Sequence, residues 1–311
     1  PVYQVSGLAG AVYEIRAISD VVTPDGTLRY AAGELVDTIT TGEDGIAKSR
    51  ELYLGKYSVV EVQAPHGMLL NSETHEVELT YAGQEIAVTE TATDFYNERQ
   101  KVSVNLSKVM EQNEKYGIGA NGEVVNVSFG LYAAEELISA SGTTIPADGL
   151  IEILMVDENG KAVVSSDLPL GKYYVKEIAT DEHYVLNGKK YLANFEYMGQ
   201  EVTTVSIDCG QFVNELKRGK IEGIKVNESN EPLENALFGL FAVDTAEFTA
   251  DNAYMTAVSD ENGHFEFDKI PYGEYIVREI EAPTGYILSD ESYPVTISED
   301  GEVIEIKAVN K

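Results

Sequence analysis

One seven-residue phrase occurs three times in this chain: Gly55-Lys-Tyr57-Ser-Val59-Val-Glu61, Gly171-Lys-Tyr173-Tyr-Val175-Lys-Glu177 and Gly273-Glu-Tyr275-Ile-Val277-Arg-Glu279. Side chains alternate between the two faces of a strand, so Tyr, Val and Glu of each copy share one face. That face is apolar apart from its glutamate. A buried carboxylate without a partner costs several kcal/mol or takes up a proton. The phrase therefore constrains the fold twice, requiring repeated β structure and a reason for each inward glutamate.

The repeat extends to either side. Apolar strands precede each glutamate at Tyr13–Ala17, Phe129–Ala133 and Phe238–Ala242, with 48, 48 and 41 positions from first aromatic to glutamate. Between them lie the turn signals Glu43-Asp44-Gly45, Asp157-Glu-Asn159-Gly160 and Asp260-Glu-Asn262-Gly263, which supply the positive φ of tight turns. Each unit closes on an apolar strand ending in asparagine: Asp94-Phe95-Tyr-Asn97, Gln211-Phe212-Val-Asn214 and Lys307-Ala308-Val-Asn310. Short alternating runs between turns predict an all-β chain of three tandem Ig-like β-sandwiches. The expected boundaries are 1–98, 99–216 and 217–311, with short helices at Ala133–Leu137 and Thr245–Asn252. The brief junctions lack the Gly/Ser length of a flexible tether, so the domains are expected to form a semi-rigid rod.

Composition excludes several function classes. With 311 residues, 43% apolar, the chain can build three cores of about 100 residues each. A formal charge of −31 argues against nucleic acid and anionic membranes. One cysteine, Cys209, rules out an internal disulfide framework, and no apolar run reaches membrane-spanning length. Without an initiator Met, signal peptide or hydrophobic tail, the chain reads as a monomeric fragment excised from a longer protein.

Parity supplies two further residues per unit. In Val102-Ser-Val104-Asn-Leu106-Ser-Lys108 the lysine shares the face of the apolar residues, as does Lys225 in Ile221-Glu-Gly223-Ile-Lys225. Both lysines fall 11 positions after the preceding asparagine, Asn97 or Asn214. The asparagines in turn share parity with core residues: Asn97 with Phe95, Asn214 with Phe212, Asn310 with Ala308. A complete unit thus points a Lys, a Glu and an Asn inward. Against this stand blander roles: rim salt bridges for the glutamates, edge-strand gatekeepers for the lysines and turn formers for the asparagines.

The lysine strand, the Gly-x-Tyr-x-Val-x-Glu strand followed by Ala282-Pro-Thr-Gly-Tyr286, and the closing Val309-Asn310 together resemble CnaB-type domains. These are prealbumin-like, SpaA-pilin-like modules of Gram-positive pilins and adhesins, and the resemblance covers essentially the whole chain. It implies condensation of Lys and Asn side chains into an intramolecular isopeptide bond, assisted by Glu. Lys108 would join Asn214 with Glu177 catalytic, and Lys225 would join Asn310 with Glu279 catalytic. The residue types suit that chemistry. Burial favours the neutral, nucleophilic amine, and a protonated glutamate could donate to the asparagine carbonyl oxygen and then shuttle a proton to departing ammonia. Folding supplies proximity.

Two departures matter. The middle unit reads Glu177-Ile-Ala-Thr-Asp-Glu-His-Tyr184, without the Ala-Pro-x-Gly stretch. The first unit has Glu61 and Asn97 but no lysine before Lys48, so it is expected to lack its opening strand and its amine, leaving Asn97 unpaired. Elsewhere, Cys209 has no nearby His and reads as a buried thiol. The four histidines, His66, His75, His183 and His264, share no metal-ligand spacing. The acidic turns at Asp157-Glu158 and Ser298-Glu-Asp-Gly301 complete no calcium loop. No cofactor or metal is expected, nor turnover catalysis. The reading is an extracellular, cell-wall-anchored stalk segment hardened by isopeptide bonds, the alternative being an adhesion module whose loops bind host protein or glycan.

Overall fold

The computed structural model describes residues 2–139 and 142–311. The first group of strands is β1 (Val12–Ala17), β2 (Val21–Val22), β3 (Leu28–Tyr30), β4 (Leu35–Thr40), β5 (Gly55–Gln63) and β6 (Thr74–Leu79). Four of them make one antiparallel sheet, in the order β4-β1-β5-β6, and β2 pairs with β3.

The second group is β7 (Lys101–Met110), β8 (Ser128–Ala133), β9 (Leu137–Ile138), β10 (Thr144–Ile145), β11 (Leu150–Met155), β12 (Lys161–Val163), β13 (Tyr173–Ala179), β14 (Lys190–Leu192) and β15 (Thr204–Asn214). Here a four-stranded sheet, β11-β8-β13-β14, is accompanied by a three-stranded one, β12-β7-β15. The third group repeats the plan with β16 (Arg218–Asn227), β17 (Leu237–Ala242), β18 (Met255–Val258), β19 (His264–Pro271), β20 (Gly273–Glu281), β21 (Ser292–Ile297) and β22 (Val303–Asn310). Its sheets run β18-β17-β20-β21 and β19-β16-β22. In the second and third domains the opening and closing strands lie side by side and parallel. Each domain has its own apolar cluster.

The repeated phrase sits at the centre of each four-stranded sheet, as β5, β13 and β20. Tyr57, Val59 and Glu61 are buried there, as are Tyr173, Val175 and Glu177, and Tyr275, Val277 and Glu279. The tyrosine is explained by its polar end. Its hydroxyl donates to the carbonyl four residues upstream: Tyr53 at 2.5 Å, Pro169 at 2.6 Å and Pro271 at 2.8 Å. A buried aromatic ring thus keeps its hydroxyl satisfied.

Three sequence expectations are corrected. Ala133–Leu137 is no helix: Leu137–Ile138 turns back to pair with Thr144–Ile145. Thr245–Asn252 keeps only a single 3-10 turn at Ala250–Asn252. Both segments are too short to repay helix nucleation. The closing strand expected at Asp94–Asn97 is also not formed, because among the described residues no parallel strand lies beside it.

The junctions are tied by specific contacts. Between the first two domains, Gln200 Oε1 accepts from Ala64 N, and just after the junction Gln100 Nε2 ties the start of the second domain to its own Gly199 and Val202 carbonyls. Arg99 pairs with Asp167 and lies 3.2 Å over the Tyr3 ring. Between the second and third, Arg218 pairs with Glu111, Tyr116 stacks on Tyr254 at 4.5 Å, and Tyr272 donates to Glu182 at 3.1 Å.

Candidate functional site: a buried amine, carboxylate and amide

The elements converge as parity requires. In the third domain Lys225 from β16, Glu279 from β20 and Asn310 from β22 are all buried, and the lysine and glutamate side chains have at most 1% exposure. Lys225 Nζ donates to Asn310 Oδ1 and lies 3.0 Å from Glu279 Oε1, which accepts from Asn310 Nδ2 at 3.1 Å. One carboxylate oxygen therefore touches both the amine and the amide nitrogen. The lysine stem also passes over Phe238, its Nζ 5.5 Å from the ring centre.

The middle domain assembles the same three groups with a different lysine pose. Glu177 Oε1 and Oε2 accept from Asn214 Nδ2 at 2.9 and 3.0 Å, and Lys108 Nζ stands 3.5 Å from Oε1. The ammonium donates to the Phe212 carbonyl at 3.2 Å instead of to the amide. Desolvation pushes the pKa of Lys108 and of Lys225 below the ordinary lysine value, against the opposing pull of the adjacent glutamate.

The lysine backbone is fixed by the Asp/Asn-Gly turns. Lys108 N donates to Gly160 O at 2.6 Å and Lys225 N to Gly263 O at 2.7 Å. A Cβ on either glycine would meet the lysine's carbonyl oxygen at 2.3 or 2.2 Å, and both glycines have φ near +73°. Only glycine permits that approach.

In the first domain Asn97 Nδ2 donates to both oxygens of buried Glu61, at 3.0 and 2.8 Å, and to Leu69 O at 3.0 Å. Among the described residues no ammonium pairs with Glu61. Its remaining side-chain donor is the Tyr13 hydroxyl at 3.4 Å. Tyr13 faces Glu61 across the sheet as Phe129 faces Glu177 and Phe238 faces Glu279. Burial, then the carboxylate, pushes the Tyr13 pKa up to about 12.

Sequence reasoning missed a fourth component. Each glutamate's Oε2 accepts a backbone N–H ten residues downstream, from Asn71 at 2.7 Å, Asn187 at 2.6 Å and Ser289 at 2.9 Å. Those three side chains brace their own loop by accepting from the N–H two residues on. The signal was a turn-forming residue recurring at one offset. The expected glutamate contact to the asparagine carbonyl oxygen is corrected: in all three sites the carboxylate faces Nδ2, because a carboxylate attracts the amide's N–H and repels its oxygen.

The remaining candidates stay apart from these sites. Cys209 is buried by the bulge in β15, and desolvation pushes its thiol up to about 11. His264 does approach Glu222 and Glu266, all within 4.8 Å, but Lys220 already pairs with both glutamates at 2.8 and 2.7 Å. Asp157 closes its own turn on the N–H groups of Asn159 and Lys161. Among the described residues no helix is long and apolar enough to cross a membrane.

Serial β-domains, two of them closing first strand to last around a buried amine, carboxylate and amide, are the architecture that the chain presents for comparison. The SpaA prealbumin-like fold domain family matches at residues 3–94, 102–208 and 219–311, and the chain belongs to that family. It is 30% identical over 80 residues to the trypsin-resistant surface T6 protein of Streptococcus pyogenes, covering 25% of this chain and 15% of that protein. It is 26% identical over 99 residues to a collagen adhesin of Staphylococcus aureus, covering 31% and 8% respectively. Among solved structures, the Bacillus anthracis TIE protein aligns with a TM-score of 0.68 and 26% identity, over 98% of this chain and 48% of that one. The chain thus spans less than half the length of each of these relatives.

Proposed function

We propose that this chain is an extracellular stalk segment of a Gram-positive surface protein, hardened by isopeptide bonds Lys108–Asn214 and Lys225–Asn310. The observation that carries the reading is the third domain's site, where Nζ, Oε1 and the amide meet in a fully buried cluster. Neutral Nζ attacks Asn Cγ, and Glu Oε1 takes the proton that Nζ releases. As the Cγ–Nδ2 bond breaks with its electron pair staying on nitrogen, the same oxygen returns the proton to Nδ2 and ammonia leaves. The second and third domains would each turn over once.

Supporting the mechanical role, the bond joins adjacent parallel strands, so a pull along the chain passes through a covalent link. The first domain, bounded at 1–98, is proposed to hold no such bond within these residues, since its glutamate and asparagine have no lysine. Intact mass measurement tests the reading. The expected result is a chain lighter by two ammonia molecules, with tandem spectra joining Lys108 to Asn214 and Lys225 to Asn310. An unmodified mass, or a crosslink to Asn97, overturns it.

A further inference from the structure

The middle domain differs from its neighbours three residues after the glutamate. The first and third domains carry Ala64 and Ala282 there, whereas the middle one carries Thr180. The Thr180 hydroxyl oxygen accepts from Asn214 Nδ2 at 2.7 Å. Asn214 Nδ2 therefore faces three acceptor atoms, two from Glu177 and one from Thr180. It has two protons, so the carboxylate fork takes one and the hydroxyl takes the other.

The other end of the amide is equally distinctive. Asn214 Oδ1 is buried with no hydrogen-bond partner, whereas Asn310 Oδ1 accepts from Lys225. In the third domain the lysine itself holds the amide's orientation. In the middle domain Lys108 is turned to the Phe212 carbonyl and gives no such hold. The orientation then rests on what grips Nδ2, and half of that grip is Thr180.

We infer that Thr180 is a positioning residue for bond formation in the middle domain, taking over the part that the lysine plays in the third. It keeps the leaving nitrogen against Glu177 and Oδ1 on the side away from the carboxylate. It neither gives nor takes a proton: the Nζ proton passes to Glu177 and on to Nδ2, as in the third domain. This inference rests on the isopeptide reading.

The test follows bond formation in full-length chain released from cell-free synthesis, sampled by mass spectrometry of crosslinked peptides. Thr180→Val keeps the side chain's shape and removes its hydroxyl. It is expected to slow the Lys108–Asn214 bond about tenfold, the scale of one neutral hydrogen bond. The Lys225–Asn310 bond in the same molecules should form at the wild-type rate, which certifies synthesis and folding. Thr180→Ser is expected to restore the rate. Thr180→Val reacting at the wild-type rate, or Thr180→Ser reacting as slowly as Thr180→Val, overturns the positioning role while leaving the isopeptide reading intact. Absence of the Lys108–Asn214 bond from the wild-type chain overturns both.

Discussion

The first and third domains hold the same glutamate–asparagine pair in opposite circumstances. Glu279 answers a buried ammonium at 3.0 Å, while Glu61 answers a tyrosine hydroxyl at 3.4 Å. Their β20 and β5 frames are alike: the same inward Tyr-Val-Glu register, the same backbone donor ten residues on, the same amide presented nitrogen-first. What differs is the second sheet. Where β16 lies parallel to β22, the asparagine is delivered by a paired strand and is 1% exposed. Where no such partner lies beside residues 94–97, that segment stays unpaired and Asn97 is only half-buried. The glutamate and its loop are therefore set by the four-stranded sheet alone, and the amine is brought by the other sheet.

The largest test of this contrast makes the third domain resemble the first. Lys225→Met should abolish its bond and release a loop spanning 85 positions, costing about 5 kcal/mol by the chain-entropy argument. Urea unfolding and limited proteolysis would read it. In the wild-type chain the first domain should be cut first, and in the variant the third should become comparably sensitive. Third-domain resistance that survives the substitution would mean that packing alone distinguishes the two.

Replacing the carboxylates should separate chemistry from structure. Glu279→Gln should leave the third domain folded but unlinked, retaining its ammonia in the intact mass. Glu61→Gln should leave the number of ammonia molecules lost unchanged and lower first-domain stability by about 1–3 kcal/mol through the buried hydrogen bonds it disturbs. A Glu279→Gln chain that loses ammonia at the wild-type rate contradicts the shuttle.

Smaller still, Tyr13→Phe gives the first domain the ring its siblings carry. The expected cost is about 1 kcal/mol in thermal unfolding, since one long hydrogen bond is lost and the ring contact with Phe95 at 4.8 Å is kept. No change would show that Glu61 is satisfied by Asn97 and Asn71 alone.

The finest test is pH. Asn310→Ala removes the electrophile and leaves Lys225 as a free amine whose folded pKa is depressed by burial. Between that depressed value and the ordinary lysine value of about 10.4, the unfolded chain binds more protons, so stability should rise with pH across the window. A Lys225→Met/Asn310→Ala control should lack the rise. A flat difference between the two would mean that Glu279 fully offsets the desolvation of the ammonium.

Period-two patterning made much of this legible from sequence. Glu61, Glu177, Glu279, Lys108, Lys225, Asn214 and Asn310 could each be placed inward because strand parity needs only a few neighbouring residues. What escaped depended on the return path of the chain. The backbone donors at Asn71, Asn187 and Ser289 arrive from loops, and Thr180 reaches Asn214 only because β13 ends beside β15. The amide's direction is set by what surrounds it, which parity does not encode. Asp94–Asn97 has strand-like sequence, yet a strand is a relation between two segments, and among the described residues none pairs with it. The Ala-Ala-Glu-Glu run at 133–136 has helix-forming residues, but tertiary pairing of its neighbours prevails.

The parallel register of β16 and β22 has a consequence for length. Lys225 lies near the end of its strand and Asn310 is the last residue of β22. Once they are joined, the chain's path from one domain edge to the other runs up β16 and steps across, bypassing the intervening residues. At about 3.5 Å per residue, a loop spanning 85 positions withholds about 300 Å from the contour that tension can draw out. The third domain would then be nearly inextensible, while the first keeps its full reserve of length. Domains built this way would share an applied load while differing widely in how far each can lengthen under it.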